Sequence, residues 1–336
     1  MKIFKGFWKF AQTNNVNIGV VVSAVILFVV MSIMFPHFLT LVNMEVLGMG
    51  FIQEAIMALG MTLVIISWGI DISISAILPF SAIILAVLFE AKLGMVPAIL
   101  LTLLAAGLIG FANGTMINQL RVHPLIVTLA TWTTLKGINM VITRGATLYS
   151  FPPEFSYIGQ GRVLGLPVPI VVFVVLAVTM GYLLKNHRYF QQVYFIGGNS
   201  RAARLSGIQV ESFLLSIYTL NAVLAGVAGI ITASQYITAS VGFGQNMELR
   251  VITAVFIGGA STAGGKGSII GTVTGVFFLA VISNAFVLAE APAYWQDIVN
   301  GIMLLGAVFL DGYFQLKRKS FASELRVSIQ GGELPK

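Results

Sequence analysis

Apolar residues run along this chain in long unbroken blocks, with polar residues gathered in the short gaps between them. A helix that crosses a bilayer needs roughly 17–25 predominantly apolar residues. Ten blocks fit that description or approach it: 18–35, 55–70, 73–90, 95–118, 124–142, 167–184, 212–236, 250–263, 268–288 and 296–313. The blocks are continuous, unlike the alternating segments of about ten residues that build an outer-membrane barrel, so helices are the spanning element. Blocks 55–70 and 250–263 are short, and each runs into a glycine-bearing break. The pattern predicts an all-α fold, a polytopic membrane helical bundle of about ten transmembrane helices forming a single domain over 1–336.

Composition sharpens this picture. Of 336 residues, 57% are hydrophobic and 9% charged, against about 25% charged in an ordinary soluble domain. So few charges cannot cover a soluble surface. The chain has no cysteine, which excludes disulfides, thiolate metal sites and a cysteine nucleophile. His37, His123 and His187 are too scattered for a local metal box. No metal or cofactor is expected.

A net charge of +7 could suggest nucleic acid in a soluble protein, but here the rule that cytoplasmic loops carry the cations accounts for it. With the N-terminus inside and sides alternating, Lys2, Lys5, Lys9, Arg121, Lys185, Arg188, Arg201, Arg204, Lys266, Lys317, Arg318, Lys319, Arg326 and Lys336 fall inside. These are 14 of the 19 cations. Lys92, Lys136, Arg144, Arg162 and Arg250 fall outside. The excess predicts both termini inside, with a short cytoplasmic tail over 314–336. The basic, aromatic N-terminus lacks a small-residue cleavage site and reads as the flank of an uncleaved span, with Phe4, Phe7 and Trp8 at the interface.

Four polar interruptions are candidates for chemistry. The longest, 185–211, is basic, with no acid before Glu211. The outer stretch 143–166, with Pro152 and Pro153, reads as structured turn and not helix. Between Gly69 and Ser75, GIDISIS places Asp71 among apolar runs with no adjacent cation. Asp71 and Ser73 mark either a helix break beside a transport path or an N-cap for the following helix. The fourth, GGASTAGGKGS, fails as a phosphate loop: Ala260 stands where the first glycine is needed, and Gly267 follows the lysine in place of Ser or Thr. It reads as a sharp turn between close-packed helices. Asn113, Thr131, Lys136, Asn139, Asn221, Gln235, Asn284 and Asn300 lie inside spans, each either an interhelical hydrogen bond or a path-lining group. Glu54, Asp71 and Asp297 are the acids nearest the membrane. Such sparse acids argue against a proton relay. With no Walker motif, any ATP hydrolysis must come from another chain.

Four segments together carry a resemblance. They are ALGMTLVIISWGIDISISA at 58–76, GGNSRAARLSGI at 197–208, the glycine-rich stretch from Glu248 to Thr272, and AYWQDIVNGIMLLGAVFLDG at 293–312. Over roughly residues 18–313 the chain resembles the permease subunits of bacterial ABC importers for ribose, rhamnose and autoinducer-2. It departs from the family pattern at Ser75-Ala76, where a Gly-Ser is usual, and at Arg250.

The resemblance implies a bacterial inner-membrane importer. It would pair this chain with a second permease chain, identical or similar, two cytoplasmic ABC ATPase subunits and an extracytoplasmic sugar-binding protein. Residues 185–211 would be the coupling element, with Gly198, Asn199, Arg201, Ala202, Arg204, Leu205 and Gly207 as ATPase contacts. Asn199 or Ser200 would cap a short helix, and Ala202, Ala203 and Leu205 would form an apolar ridge on it. Two other readings stand beside sugar import: the same machine carrying nucleosides or branched-chain amino acids, and an ion-coupled secondary carrier that needs no ATPase. No triad, metal cluster or phosphate loop supports an enzyme.

Overall fold

The computed structural model describes residues 18–292 and 294–331, with side chains described to Lys317 apart from Phe314. The expectation for Phe4, Phe7 and Trp8 lies outside the described residues. The chain is helical nearly throughout: α1 (Ile18–Met34), α2 (Leu41–Gly50), α3 (Ile52–Ile66), α4 (Ile74–Glu90), α5 (Met95–Gln119), α6 (Pro124–Thr143), α7 (Ser156–Gln160), α8 (Val168–Asn186), α9 (Arg188–Gly198), α10 (Ser200–Leu205), α11 (Val210–Tyr236), α12 (Met247–Ile257), α13 (Ile269–Leu288) and α14 (Tyr294–Gly331).

Local chemistry sets several of these boundaries. Thr40 Oγ1 accepts the Asn43 N–H at the start of α2. His123 caps α6 ahead of Pro124, whose missing N–H falls where no helical partner exists. Ser268 Oγ accepts the Gly271 N–H at the start of α13.

α11 is the central post, packed against α5, α3 and α4. α3 is apolar on nearly every side, and all its residues except Glu54 are buried, as expected of a helix with no polar face to show to water. The peripheral helices turn apolar side chains outward: Ile33 is 78% exposed and Val141 79%. In water such a belt would be an aggregation surface, whereas in a bilayer it is the lipid face.

Among the described residues, α5, α6, α8, α11, α13 and Tyr294–Lys317 of α14 are long and apolar enough to cross a membrane. The pair α2–α3, bent by 42°, makes a seventh. α1 and α4 are shorter apolar helices of 17 residues each.

Several expectations shift. The block 55–70 ends four residues early, at Ile66, and begins upstream through the bent pair. The block 250–263 is the 11-residue α12 followed by a turn. No Gly or Pro interrupts 313–330, and α14 continues past 314 to Gly331. The outer stretch 143–166 holds more structure than a turn. A 3-10 turn at Pro153–Phe155 leads into α7, followed by a two-residue hairpin of β1 (Arg162–Val163) and β2 (Leu166–Pro167). Phe155 drives this order. It is fully buried against Phe89 and Phe151, with ring centroids 5.3 Å away in both cases.

Candidate functional site

The backbone is irregular inside the bundle at two places. The first is 67–73, where the chain turns back between α3 and α4. Asp71 is fully buried there. Its Oδ1 accepts the Ser73 N–H at 3.0 Å and the Ser73 hydroxyl at 2.5 Å, and its Oδ2 accepts the Asn221 amide at 3.0 Å. Asn113 donates to Ser73 Oγ at 3.0 Å, and Thr131 donates to Asn113 Oδ1 at 2.6 Å. One polar chain therefore ties the turn to α5, α6 and α11. Asn221 lies eleven residues beyond the start of α11 at Val210, about 16 Å along the axis at 1.5 Å per residue. The turn is thus well inside the bundle and not at its rim.

The second irregular segment is 237–246, between α11 and α12. It pairs with the outer stretch through Leu148 and Ala239, then descends until Gly244 packs on the Ser75 carbonyl at the start of α4. Gly244 has φ +76°, and a Cβ there would sit 2.6 Å from Ser75 O, so only glycine fits. Pro79 has no N–H and denies that same carbonyl its i+4 helical donor. Irregular backbone at membrane depth is tolerated where protein buries it or a cavity takes it up.

A cavity of about 410 Å³ lies between the start of α4 and the second segment, walled by Ser75, Ala76 and Pro79 of α4, Trp132, Lys136, Asn139 and Met140 of α6, Val241, Phe243, Gly244, Gln245 and Asn246 of the second segment, and Glu248 of α12. That is within the size range of small-molecule sites. Trp132 Nε1 donates to Ser75 Oγ at 3.0 Å, which fixes the indole in the wall. The Lys136 ammonium lies 4.4 Å from its ring centroid, in cation–π range. Asn139 is 2% exposed and Glu248 8%. Asn139 Nδ2 donates to Ala76 O at 3.3 Å, but Asn139 Oδ1 and Glu248 Oε2 have no hydrogen-bond partner. Each such buried acceptor costs about 1–3 kcal/mol, and both belong to side chains in the cavity wall.

At the far end of α3, residues 185–211 form two helices. α9 packs on the bundle through Val193 and Ile196. Gly197 lies against the end of α3, where a Cβ would come within 1.7 Å of Ile66 O. The Gly265 N–H also bonds Ile66 O, at 2.8 Å, and Tyr194 Oη donates to Gly267 O at 3.0 Å. Burial pushes the Tyr194 hydroxyl up to about 12, so it stays a donor at neutral pH. Asn199 caps α10 by accepting the Ala202 N–H at 3.0 Å. Leu205 is 85% exposed, while Arg201 and Ala202 also face outward. Arg204 is ion-paired to Glu211 at 2.8 Å. Ala203 is buried, so the apolar ridge expected on α10 consists of Ala202 and Leu205 without it: helical geometry turns the middle residue inward. Gly207 has φ +86° and turns the chain toward α11.

The sequence candidates separate into groups. Asp71, Ser73, Asn113, Thr131 and Asn221 meet in one hydrogen-bonded chain, and Asn139 joins the cavity beside it. Gln235 instead bonds Gln53 at 2.8 Å, and Asn284 pairs reciprocally with Asn43 at 2.9 and 3.0 Å. Neither lines the cavity. Sequence reasoning did not single out Trp132, Gln245, Asn246 or Glu248 as site residues. The available signal was Glu248, an acid opening an apolar block too short to span. Among the described residues, no cluster of His, Asp and Glu could hold a metal ion.

Many apolar helices, irregular backbone inside the bundle and a polar cavity beside it define a membrane transport protein. Residues 46–308 match the family model for the branched-chain amino acid transport system / permease component. The ribose import permease protein RbsC of Escherichia coli K12 is 34% identical over 294 residues, covering 86% of this chain and 92% of the relative. RbsC of Bacillus subtilis 168 is 35% identical over 297 residues, covering 88% and 92%. The autoinducer 2 import system permease protein LsrC of Shigella flexneri is 31% identical over 325 residues, covering 94% and 93%. No solved structure matches. The chain belongs to this permease family and is a multi-pass inner-membrane protein.

Proposed function

We propose that this chain is the permease subunit of an ABC importer that carries a sugar or sugar-like solute inward, driven by a separate ATPase. The observation that carries the reading is the polar cavity between the break at 237–246 and the start of α4. Transporters place substrate at such breaks, where unwound backbone supplies polar groups at membrane depth. The relatives named for ribose and autoinducer 2 set the cargo class, and a wall rich in hydrogen-bonding groups suits it.

The same reading extends to the topology. Segment 237–246 with α12 counts as one broken crossing, and α2 with α3 as another. Counted with α1, α4, α5, α6, α8, α11, α13 and α14 these would make ten crossings, and the excess of cations supports both termini inside. Lys136 is exposed beside the cavity, on a helix whose apolar face is exposed as well. A lysine at mid-helix in lipid costs roughly 3 kcal/mol. Protein or a water-filled path therefore covers it, and a second permease chain facing this one supplies both.

Residues 185–211 are the coupling surface. Gly198, Asn199, Arg201, Ala202, Arg204, Leu205 and Gly207 form or flank α10, which is exposed at Arg201, Ala202, Arg204 and Leu205. Leu205 offers an apolar tip and Arg201 a cation to a cytoplasmic ATPase, while an extracytoplasmic binding protein would deliver the solute to the opposite side. The test is affinity purification of the full chain from its native membrane. Retention of an ABC ATPase that is lost in Leu205→Glu with Arg201→Glu supports the reading. A chain that purifies without any ATPase and transports on an ion gradient refutes it.

A further inference from the structure

A second cavity, a groove of about 870 Å³, runs between the last turns of α8, α9 and the first turns of α13. Its walls include Gly181, Tyr182 and Lys185 of α8, Phe195 of α9, and Ile270 and Val273 of α13. Gly181 keeps it open: a Cβ there would meet nothing closer than Ile269, at 3.9 Å. Val174, Val175 and Val178 of α8 and Ile270 of α13 are exposed, so the lipid face continues to the mouth of the groove. α8 packs on α3 and α13, whereas α6 packs on α4 and α5. The groove therefore does not border the face of α6 that carries Lys136.

The chemistry of the mouth differs from that of the floor. Lys185 is exposed at the end of α8, and Arg188 is exposed at the start of α9. Among the described residues that line the groove there is no Asp or Glu. Tyr182 and Phe195 bring exposed aromatic rings to the same place, as is usual where a membrane meets water. The Gln191 amide donates to the Lys185 carbonyl at 2.6 Å, which folds α9 back against the end of α8. Basic pockets between membrane helices on the cytoplasmic side bind anionic headgroups. An apolar trough with a cationic mouth is complementary to a hydrocarbon chain with an anionic head, and the surrounding bilayer supplies such molecules. A choline or ethanolamine head would set a further cation beside Lys185 and Arg188. A soluble anion would meet the cations and leave the trough unfilled.

We propose that this groove binds an anionic glycerophospholipid of the inner leaflet, with an acyl chain lying past Gly181 between α8 and α13 and the phosphate at Lys185 and Arg188. The choice of leaflet rests on the topology reading above. Bound there, the lipid touches α8, α9 and α13 at once. α9 leads directly into α10, so the lipid braces the base of the coupling surface.

The experiment is native mass spectrometry of the detergent-purified full chain, titrated with dioleoyl phosphatidylglycerol, dioleoyl phosphatidylcholine or inorganic phosphate. One cation near a membrane surface contributes about fivefold to the binding of an anionic lipid. Wild type should hold one phosphatidylglycerol more tightly than phosphatidylcholine by about fivefold or more. Lys185→Gln should weaken phosphatidylglycerol about fivefold, and Lys185→Gln with Arg188→Gln about 25-fold, with phosphatidylcholine unchanged. Gly181→Leu, which fills the trough, should weaken both lipids. Lys92→Gln, which removes an exposed cation outside the groove, should change neither.

Equal affinity for the two lipids overturns the site. So does a loss in Lys92→Gln as large as in Lys185→Gln, which would make the attraction a matter of net charge. Phosphatidylglycerol that inorganic phosphate displaces at equal concentration, or that a folded Gly181→Leu chain holds as tightly as wild type, makes this a site for a soluble anion and overturns the lipid assignment. Lys185→Gln changes only an exposed side chain and decides the question even where Gly181→Leu disturbs folding. Binding is read on the permease alone, so its failure leaves the import reading standing, and a chain that purifies without an ATPase leaves the lipid site standing.

Discussion

Replacing Asp71 with alanine removes the acceptor at the centre of the buried polar chain. Three hydrogen bonds disappear: Ser73 N–H at 3.0 Å, Ser73 hydroxyl at 2.5 Å and Asn221 amide at 3.0 Å. The Asn221 amide, whose Oδ1 already lacks a partner, is then left with neither end satisfied. At about 0.6 kcal/mol per bond, the average within membrane bundles, the loss would be roughly 2 kcal/mol. With donors orphaned in a fully buried site at about 1–3 kcal/mol each, it approaches 5 kcal/mol. Asp71→Ala should therefore lose about 2–5 kcal/mol. Asp71→Asn should lose far less. Its carbonyl can replace Oδ1, and an Asn221 amide flip turns that residue's unpartnered oxygen toward the new NH2. The assay is denaturant- or heat-induced unfolding of the detergent-purified chain, followed by tryptophan fluorescence. Asp71→Ala as stable as wild type, or Asp71→Asn as damaged as Asp71→Ala, would refute the view that this chain of bonds holds the turn.

Other consequences follow from the same geometry. Gly197→Ala forces a methyl to within 1.7 Å of Ile66 O and should cost about 1–3 kcal/mol by overpacking, read as a lower melting temperature with weakened nucleotide stimulation of transport. Tyr194→Phe should cost about 1 kcal/mol through the lost bond to Gly267 O. Folding holds the Tyr194 proton up to about 12 against an ordinary 10.0. The folded state therefore binds more protons across that window, and stability falls as pH rises through it. The wild-type advantage over Tyr194→Phe should be constant below pH 10 and shrink above it in pH-dependent melting curves. Arg204→Ala breaks an exposed pair with Glu211 and should change stability by less than about 1 kcal/mol, as the same melting assay can check.

Much of this architecture is legible along the chain because long apolar blocks can do little but span. The blocks at 95–118, 124–142, 167–184, 212–236 and 268–288 correspond to α5, α6, α8, α11 and α13 within a few residues. Hydropathy could not reveal irregular backbone packed inside the bundle. Residues 237–246 carry Thr238, Ser240, Gln245 and Asn246 and read as an outer loop, although packing of Gly244 on Ser75 draws them inward. The site was half legible. Asp71, Ser73, Asn113, Thr131 and Asn221 stand out as polar residues in apolar surroundings, and the fold brings them together. Gln235 and Asn284 carry the same signal but face Gln53 and Asn43 across helix contacts. Composition alone cannot tell an interhelical bond from a cavity wall. Trp132 escaped notice because an aromatic residue in an apolar helix looks like core, and its role depends on Ser75, fifty-seven positions away.

The most direct test of the account is uptake into proteoliposomes holding this permease with its co-purified ATPase, with binding protein and labelled sugar outside and ATP inside. The account predicts sugar accumulation that requires ATP and the binding protein and persists when proton and sodium gradients are collapsed. Accumulation that needs no ATPase and vanishes with the ion gradient would contradict it.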